Sequence, residues 1–322
     1  MSAVRVTVAA VRVLITGASG FVGGWLARAC AARGDQVLGV SRSGRLEAGL
    51  GDTLAADLTD AVALREAIRS LAPEVVFHLA ALSHVGRSWE DPQRTLALNT
   101  ATAAGLLEAL RLHAPGARLV WVSSGEVYRA GTQLPLVEDD EVLPSSPYAV
   151  SKLAGEMLAS LYSRTHGIDL VIARAFAHAG PGQRPIFLLS SICRQAALAR
   201  LSGARSLTIT TGNPQTRRDL TDVRDVVRAY LLLAERTLPA GVYNVCSGVS
   251  SSTAQRVAAV AAALAPLTVE HAVDPALVRA HEAPVITGSH ARLREAGGWC
   301  PQIPLQQTIA DTISWWERQL RE

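Results

Sequence analysis

Short apolar, β-branched runs alternate along the chain with longer stretches whose apolar residues recur three and four positions apart. The first kind reads as buried strand and the second as helix. Residues 11–16 predict a strand and 21–33 a helix that Gly34 stops, followed by strands at 36–40 and, more weakly, 53–56. A helix over 60–71, a buried strand over 74–79 and a long helix over Pro92–His113 come next. A strand at 117–123, a helix over Pro147–His166 and a strand at 168–174 complete the regular part. Such strand-helix alternation predicts an α/β fold, a doubly wound parallel sheet of Rossmann type with helices on both faces.

After Arg174 the rhythm changes. Pro181, Gly182 and Pro185 predict a loop, then a helix to about residue 200. A short strand at 207–210 precedes the turn Gly212-Asn213-Pro214. Helices follow at 222–235, 252–265 and 305–320, with a strand at 242–245. The expected organisation is a nucleotide-binding domain over 1–174 and a smaller mixed α/β substrate lobe over 175–322. Segments near 220–246 are expected to return to the first domain.

Composition narrows the class. The chain has 322 residues, 49% hydrophobic and 18% charged, which suits a large core and argues against disorder. A net charge of +3 without a basic run gives no footprint for nucleic acid. Cys30, Cys193, Cys246 and Cys300 show no metal-ligand spacing, so reduced, mostly core thiols and no metal site are expected. Arg5 and Arg12 interrupt the apolar N-terminus, and no signal peptide is expected. The apolar run 257–267 contains Pro266 and is too short for a bilayer. A cytoplasmic protein without a membrane partner is the expectation.

The chemistry begins at Gly17-Ala18-Ser19-Gly20-Phe21-Val22-Gly23, between the first strand and first helix. Glycines there permit a tight turn and bring backbone N–H groups and a helix N-terminus up to a pyrophosphate. The second strand runs into Ser41-Arg42-Ser43-Gly44-Arg45, with no carboxylate until Glu47. An acid at this place reads the ribose hydroxyls of NAD. Arg42, with Arg45 and the hydroxyls of Ser41 and Ser43, suits a 2′-phosphate instead, so NADP(H) is preferred and NAD(H) remains possible.

Tyr148 and Lys152 lie four residues apart on one helix and share a face. The ammonium is expected to lower the phenol pKa, so that Tyr148 works as general acid or base on a carbonyl or alcohol. The strand before them ends in Ser123-Ser124, and Ser124 is placed to bind the substrate oxygen. Glu126 is a candidate second acid/base, or a plain loop carboxylate.

TGASGFVG (16–23), HLAA (78–81), SSGEVY (123–128) and SPYAVSK (146–152) together resemble the extended short-chain dehydrogenase/reductases. That superfamily is mostly nucleotide-sugar epimerases, dehydratases and reductases. In the C-terminal half, AFAHAGPGQ (175–183), GNPQTRRDLTDVRDVVRAY (212–230) and DPALVRAHEAPVITGS (274–289) look like the GDP-4-keto-6-deoxy-D-mannose reductases. GDP-mannose 4,6-dehydratases are a more distant likeness.

The resemblance implies NADPH-dependent reduction of the C4 keto group of a nucleotide-bound 4-keto-6-deoxyhexose, GDP-linked, by a homodimer packed through Pro92–His113 and Pro147–His166. It implies that Asp57 and Leu58 lie at the adenine, and that Leu79, Ala80, Ala81, Asn99 and Ser123 lie along the cofactor. Ser83 and His84 fall at the sugar edge, while Arg218, Arg279 and Glu282 hold the diphosphate and ribose. The family's Asn is replaced by Ala177, and the acid of its C-terminal motif is lost in Gly288-Ser289-His290-Ala291-Arg292. A 4,6-dehydratase and a C4 epimerase use overlapping groups and stay open as alternatives. An NADP-sensing regulator without turnover is the non-enzymatic alternative, opposed by the intact Tyr148 and Lys152.

Overall fold

The computed structural model describes residues 10–129, 133–278 and 283–322. Strand β1 (Arg12–Thr16) leads to helix α1 (Phe21–Ala32), β2 (Gln36–Ser41), β3 (Asp52–Ala55) and α2 (Ala61–Leu71). Then come β4 (Val75–His78), α3 (Val85–Glu90), α4 (Pro92–His113), β5 (Arg118–Ser124), α5 (Pro147–His166) and β6 (Asp169–Ala175). One seven-stranded sheet runs β3-β2-β1-β4-β5-β6-β10, with β10 at Gly241–Val245. The pairs β1–β2, β2–β3, β1–β4 and β4–β5 are parallel. Strand order reverses at β1, which makes the carboxyl ends of β1 and β4 the switch point where such sheets bind ligands.

Two compact units divide the chain. The first is the described chain up to Val122 together with Ala154–Val171; the second is Ser123–Leu153 with Ile172 onward. Fully buried Leu14, Ile15, Leu26, Phe77, Leu106 and Leu119 form the core of the first. Each such side chain contributes about 1.5–3 kcal/mol through burial. Helix starts follow their caps. Asp60 accepts the N–H groups of Val62 and Ala63 at 2.9 and 3.1 Å, and Asp91 accepts that of Arg94 at 3.0 Å ahead of Pro92.

The second unit holds β7 (Ala177–Ala179), α6 (Leu188–Leu201), β8 (Ser206–Thr211), β9 (Arg217–Asp222) and α7 (Val223–Leu233). It continues with β11 (Ser250–Ser252), α8 (Thr253–Leu264), β12 (Thr268–Val273), β13 (Val285–Ile286), α9 (Ala291–Gly297) and α10 (Leu305–Gln319). Strand β9 pairs with β11, β13 and β7, and β8 pairs with β12. Helices α6, α8 and α10 close over a core containing Ile192, Val260, Ile309 and Ile313.

The first unit runs to Val171, close to residue 174, but the segment 123–153 between its two parts groups with the second unit. Residues 123–153 group with the C-terminal half because their polar groups are satisfied there. Tyr128 Oη donates to Asn244 Oδ1 at 2.7 Å, Glu138 Oε1 accepts the Asn244 N–H at 2.8 Å, and the Leu136 N–H donates to the Thr287 carbonyl at 2.8 Å. The thiols of Cys30, Cys193 and Cys246 are buried and free, whereas Cys300 is exposed. No helix among the described residues is long and apolar enough to cross a membrane.

Candidate active site

Three glycines of the β1–α1 loop act differently. Gly17 has φ +76°, and a Cβ there would lie 3.0 Å from the Ala80 nitrogen, so the loop presses on the end of β4. A Cβ on Gly20 would meet the Gly17 carbonyl at 3.0 Å; one on Gly23 would collide with the same oxygen and lie 2.7 Å from Ala18 Cα. The first turn of α1, with Phe21, Val22 and Gly23, carries no acidic residue, and its N-cap Gly20 offers no side chain. The N-terminus therefore sets no carboxylate against an incoming anion. This cradle, which side chains would fill, fits a dinucleotide pyrophosphate.

At the end of β2, Ser41 is buried while Arg42 and Arg45 are exposed. Ser43 Oγ accepts the Arg45 N–H at 3.3 Å and lies 3.5 Å from Ser41 Oγ. Glu47, the first carboxylate after the strand, is bound by Arg28 of α1. Asp57 accepts the N–H and hydroxyl of Thr59 at 2.9 and 2.8 Å. Those bonds, with the Arg42 charge behind them, hold its carboxyl below the usual range. Leu58 beside it is buried.

Thr16 Oγ1 lies 2.8 Å from His78 Nδ1 and accepts the Ala80 N–H at 3.3 Å, fixing the segment Leu79–Ala81. Asn99 is buried and faces the same loop from α4. Its Oδ1 accepts the Leu82 N–H at 2.8 Å and its Nδ2 donates to the Leu82 carbonyl at 3.3 Å. Its amide holds the loop in place. His84 is the N-cap of α3, its Nδ1 accepting the Arg87 N–H at 3.0 Å. Ser83 is exposed.

Strand β5 and the first turn of α5 position the acid/base groups. Ser124 is buried and starts a 3-10 turn, its Oγ accepting the Glu126 N–H at 3.2 Å. Its own hydroxyl is hydrogen-bonded to Tyr148. Tyr148 and Lys152 are both buried, one helical turn apart. The phenol pKa is pushed up to about 12, by burial first and by the Glu126 charge, against the Ser124 hydrogen bond. That is the reverse of the expected lowering, because desolvation outweighs the stabilising contacts. Ser123 Oγ is buried without a hydrogen-bond partner.

A small groove adjoins Glu126 and is walled by Tyr128, Arg129, Leu136, Ser145 and Ile286. Arg218 supports that wall. Its Nη1 donates to the carbonyls of Arg217 and Ala283, each at 2.8 Å. Ala177 lies exposed on β7, opposite Leu220 of β9. Arg279 and Glu282 lie outside the described residues.

Sequence reasoning missed Asp219 as an organising group. Buried beneath the 246–248 and 288 backbone, it accepts the Ser247 N–H and hydroxyl, the Gly248 N–H at 2.9 Å and the Gly288 N–H at 3.3 Å. Burial nonetheless raises its pKa. It is one acid in the charged stretch Arg217–Asp222, which reads equally well as a surface loop. The Tyr128–Asn244–Glu138 cluster gives no sequence signal either, since Asn244 is over a hundred residues from the other two.

Comparison with known proteins agrees with this geometry. The family model for GDP-mannose 4,6-dehydratase matches residues 14–312. GDP-6-deoxy-D-mannose reductase of Pseudomonas aeruginosa is 37% identical over 252 residues, covering 78% of this chain and 82% of the relative. UDP-glucose 4-epimerase of Mycolicibacterium smegmatis is 31% identical over 318 residues, covering 96% and 99%. The structure of RMD from Pseudomonas aeruginosa complexed with NADPH superposes with a TM-score of 0.81 at 33% identity, covering 95% of this chain and 99% of that one. With its glycine cradle at the switch point and its Ser124–Tyr148 pair, the chain belongs to the GDP-mannose 4,6-dehydratase family of the extended short-chain dehydrogenase/reductases.

Proposed function

We propose that this protein reduces the C4 keto group of a nucleotide-bound 4-keto-6-deoxyhexose, GDP-4-keto-6-deoxy-D-mannose, with NADPH. The observation that carries this reading is the buried, hydrogen-bonded Ser124–Tyr148 pair in a chain 37% identical to a GDP-6-deoxy-D-mannose reductase. Reduction of a ketone consumes a proton, and the buried Tyr148 phenol, hydrogen-bonded to Ser124, is placed to give it. The similarity to GDP-6-deoxy-D-mannose reductase supports the GDP-linked substrate.

Gly17, Gly20 and Gly23 shape the cradle for the pyrophosphate, and Ser19 lies within it. Arg42 and Arg45 take the 2′-phosphate, which favours NADP(H) while leaving NAD(H) usable, as the NADPH complex of the Pseudomonas RMD supports. When bound, the dinucleotide supplies the hydride. Ser124 hydrogen-bonds the C4 oxygen, and Tyr148 Oη delivers the proton as negative charge grows there. Lys152, whose charge favours phenolate, eases that release.

A second reading rests on Glu126. This half-buried carboxylate is near enough for its charge to raise the Tyr148 pKa, and it would serve as the additional acid/base of a 4,6-dehydratase. The assembly we propose is a cytoplasmic homodimer. Met157 and Leu161 on α5 and Leu112 on α4 are large apolar side chains left 66%, 44% and 44% exposed, and burying them against a second copy would remove that cost.

The test is NADPH oxidation by the purified protein given GDP-4-keto-6-deoxy-D-mannose, with NADH in parallel. Oxidation, faster with NADPH, is the expected result. Absence of oxidation, together with water loss from GDP-mannose, would move the assignment to the dehydratase.

A further inference from the structure

The loop after β2 carries two opposed instructions. Arg42 and Arg45 suit a 2′-phosphate, whereas a carboxylate in this neighbourhood suits the bare ribose hydroxyls of NAD. Glu47 is such a carboxylate, and the structure shows where it is kept. Arg28 Nε donates to Glu47 Oε2 at 2.9 Å, and Nη2 reaches the same oxygen. The guanidinium lies 5.4 Å from the centroid of the Trp25 ring, so an aromatic face backs the ion pair. Trp25 and Arg28 sit on α1, the helix whose N-terminus forms the cradle. The loop itself is tightly folded. Gly44 has φ +59°, and a Cβ there would lie 2.7 Å from Ala55 Cβ on β3.

We propose that Arg28 is a positioning residue for cofactor choice: by holding Glu47 against α1, it withholds the one carboxylate of the 41–50 loop from the adenosine ribose, so that the loop presents only its arginines. An unheld Glu47 would accept hydrogen bonds from the ribose hydroxyls of NADH and repel a 2′-phosphate. The inference rests on the NADPH reading above.

Dissociation constants for NADPH and NADH, measured by calorimetry, test it on the wild type, Arg28→Met, Glu47→Gln and the double variant. In R28M the NADPH-over-NADH preference should fall about fivefold, the scale of one partly exposed ion pair. In R28M/E47Q it should return to within about twofold of wild type, because the released carboxylate is gone. E47Q alone should keep the preference. A purely structural role for Arg28 would weaken both dinucleotides alike and leave their ratio unmoved, which overturns the proposal. A ratio that falls in R28M and stays low in the double variant also overturns it, since Arg28 would then act through its own charge. A wild type without preference for NADPH removes the cofactor reading itself, and that is read before any variant is made.

Discussion

The Ser124 hydroxyl and the Tyr148 phenol are hydrogen-bonded to each other, while Ser124 Oγ also accepts the Glu126 N–H. One serine thus fixes both the proton donor and the backbone of the neighbouring carboxylate.

Tyr148→Phe removes the proton donor and nothing from the glycine cradle. Turnover should fall by about two to four orders of magnitude, the usual worth of a positioned acid. The NADPH dissociation constant should stay within about twofold, since one lost neutral contact away from the phosphates costs little. Single-turnover kinetics and calorimetry separate the two effects.

Alkaline pH should unfold the protein through its buried phenols. Tyr128 and Tyr148 are both pushed up to about 12 from an ordinary value of 10.0, chiefly by burial. The unfolded chain therefore loses these protons first. Stability is unaffected below about pH 10 and falls between about 10 and 12, by at most about 1.4 kcal/mol per pH unit for each phenol. Denaturant titrations across that range, with tyrosinate absorbance as a second probe, give the slope.

Adjacent glycines on α1 should respond oppositely. A Cβ on Gly23 would collide with the Gly17–Ala18 backbone, so Gly23→Ala should be destabilising and weaken NADPH binding. Gly24 has nothing within 4 Å of an added Cβ. Gly24→Ala should stabilise the helix by about 0.5–1 kcal/mol. Thermal melts of the pair would show the split, and a destabilised Gly24→Ala would count against this account of the loop.

Two buried tyrosines should differ in the same way. Tyr128 Oη donates to Asn244 at 2.7 Å, whereas the fully buried Tyr230 hydroxyl has no partner. Tyr128→Phe should cost about 1–3 kcal/mol by stranding Asn244 Oδ1. Tyr230→Phe should be neutral or stabilising by up to about 1 kcal/mol. Urea midpoints at constant m-value would decide.

The parts of this fold that could be read in advance are those where one local pattern has one physical solution. Gly17 through Gly23 after an apolar strand is such a case, and so is the strand-helix alternation that yields β1 to β6. Helix α3 escaped because it spans only six residues and is capped by His84, an uncommon N-cap. Strand β9 escaped because Arg217, Arg218, Asp219 and Asp222 leave no apolar alternation; their polar groups are satisfied by backbone and side chains brought from far along the chain. The site shows the same split. Tyr148, Lys152 and Ser124 announce themselves by type and spacing, but the loop-holding role of Asn99 and the direction of the Tyr148 shift depend on burial, which spacing does not encode.

The grouping of residues 123–153 with the C-terminal half bears on how this protein can be taken apart. The stretch bearing Ser124, Glu126, Tyr148 and Lys152 draws its support from Asn244 and the 287–289 backbone. A fragment ending at Arg174 would therefore retain these side chains and lose what folds the chain around them. Grafting a foreign C-terminal half at that point would put a new substrate surface and a rebuilt acid/base centre under selection together. Redesign of this chain is better served by point changes than by a cut at residue 174.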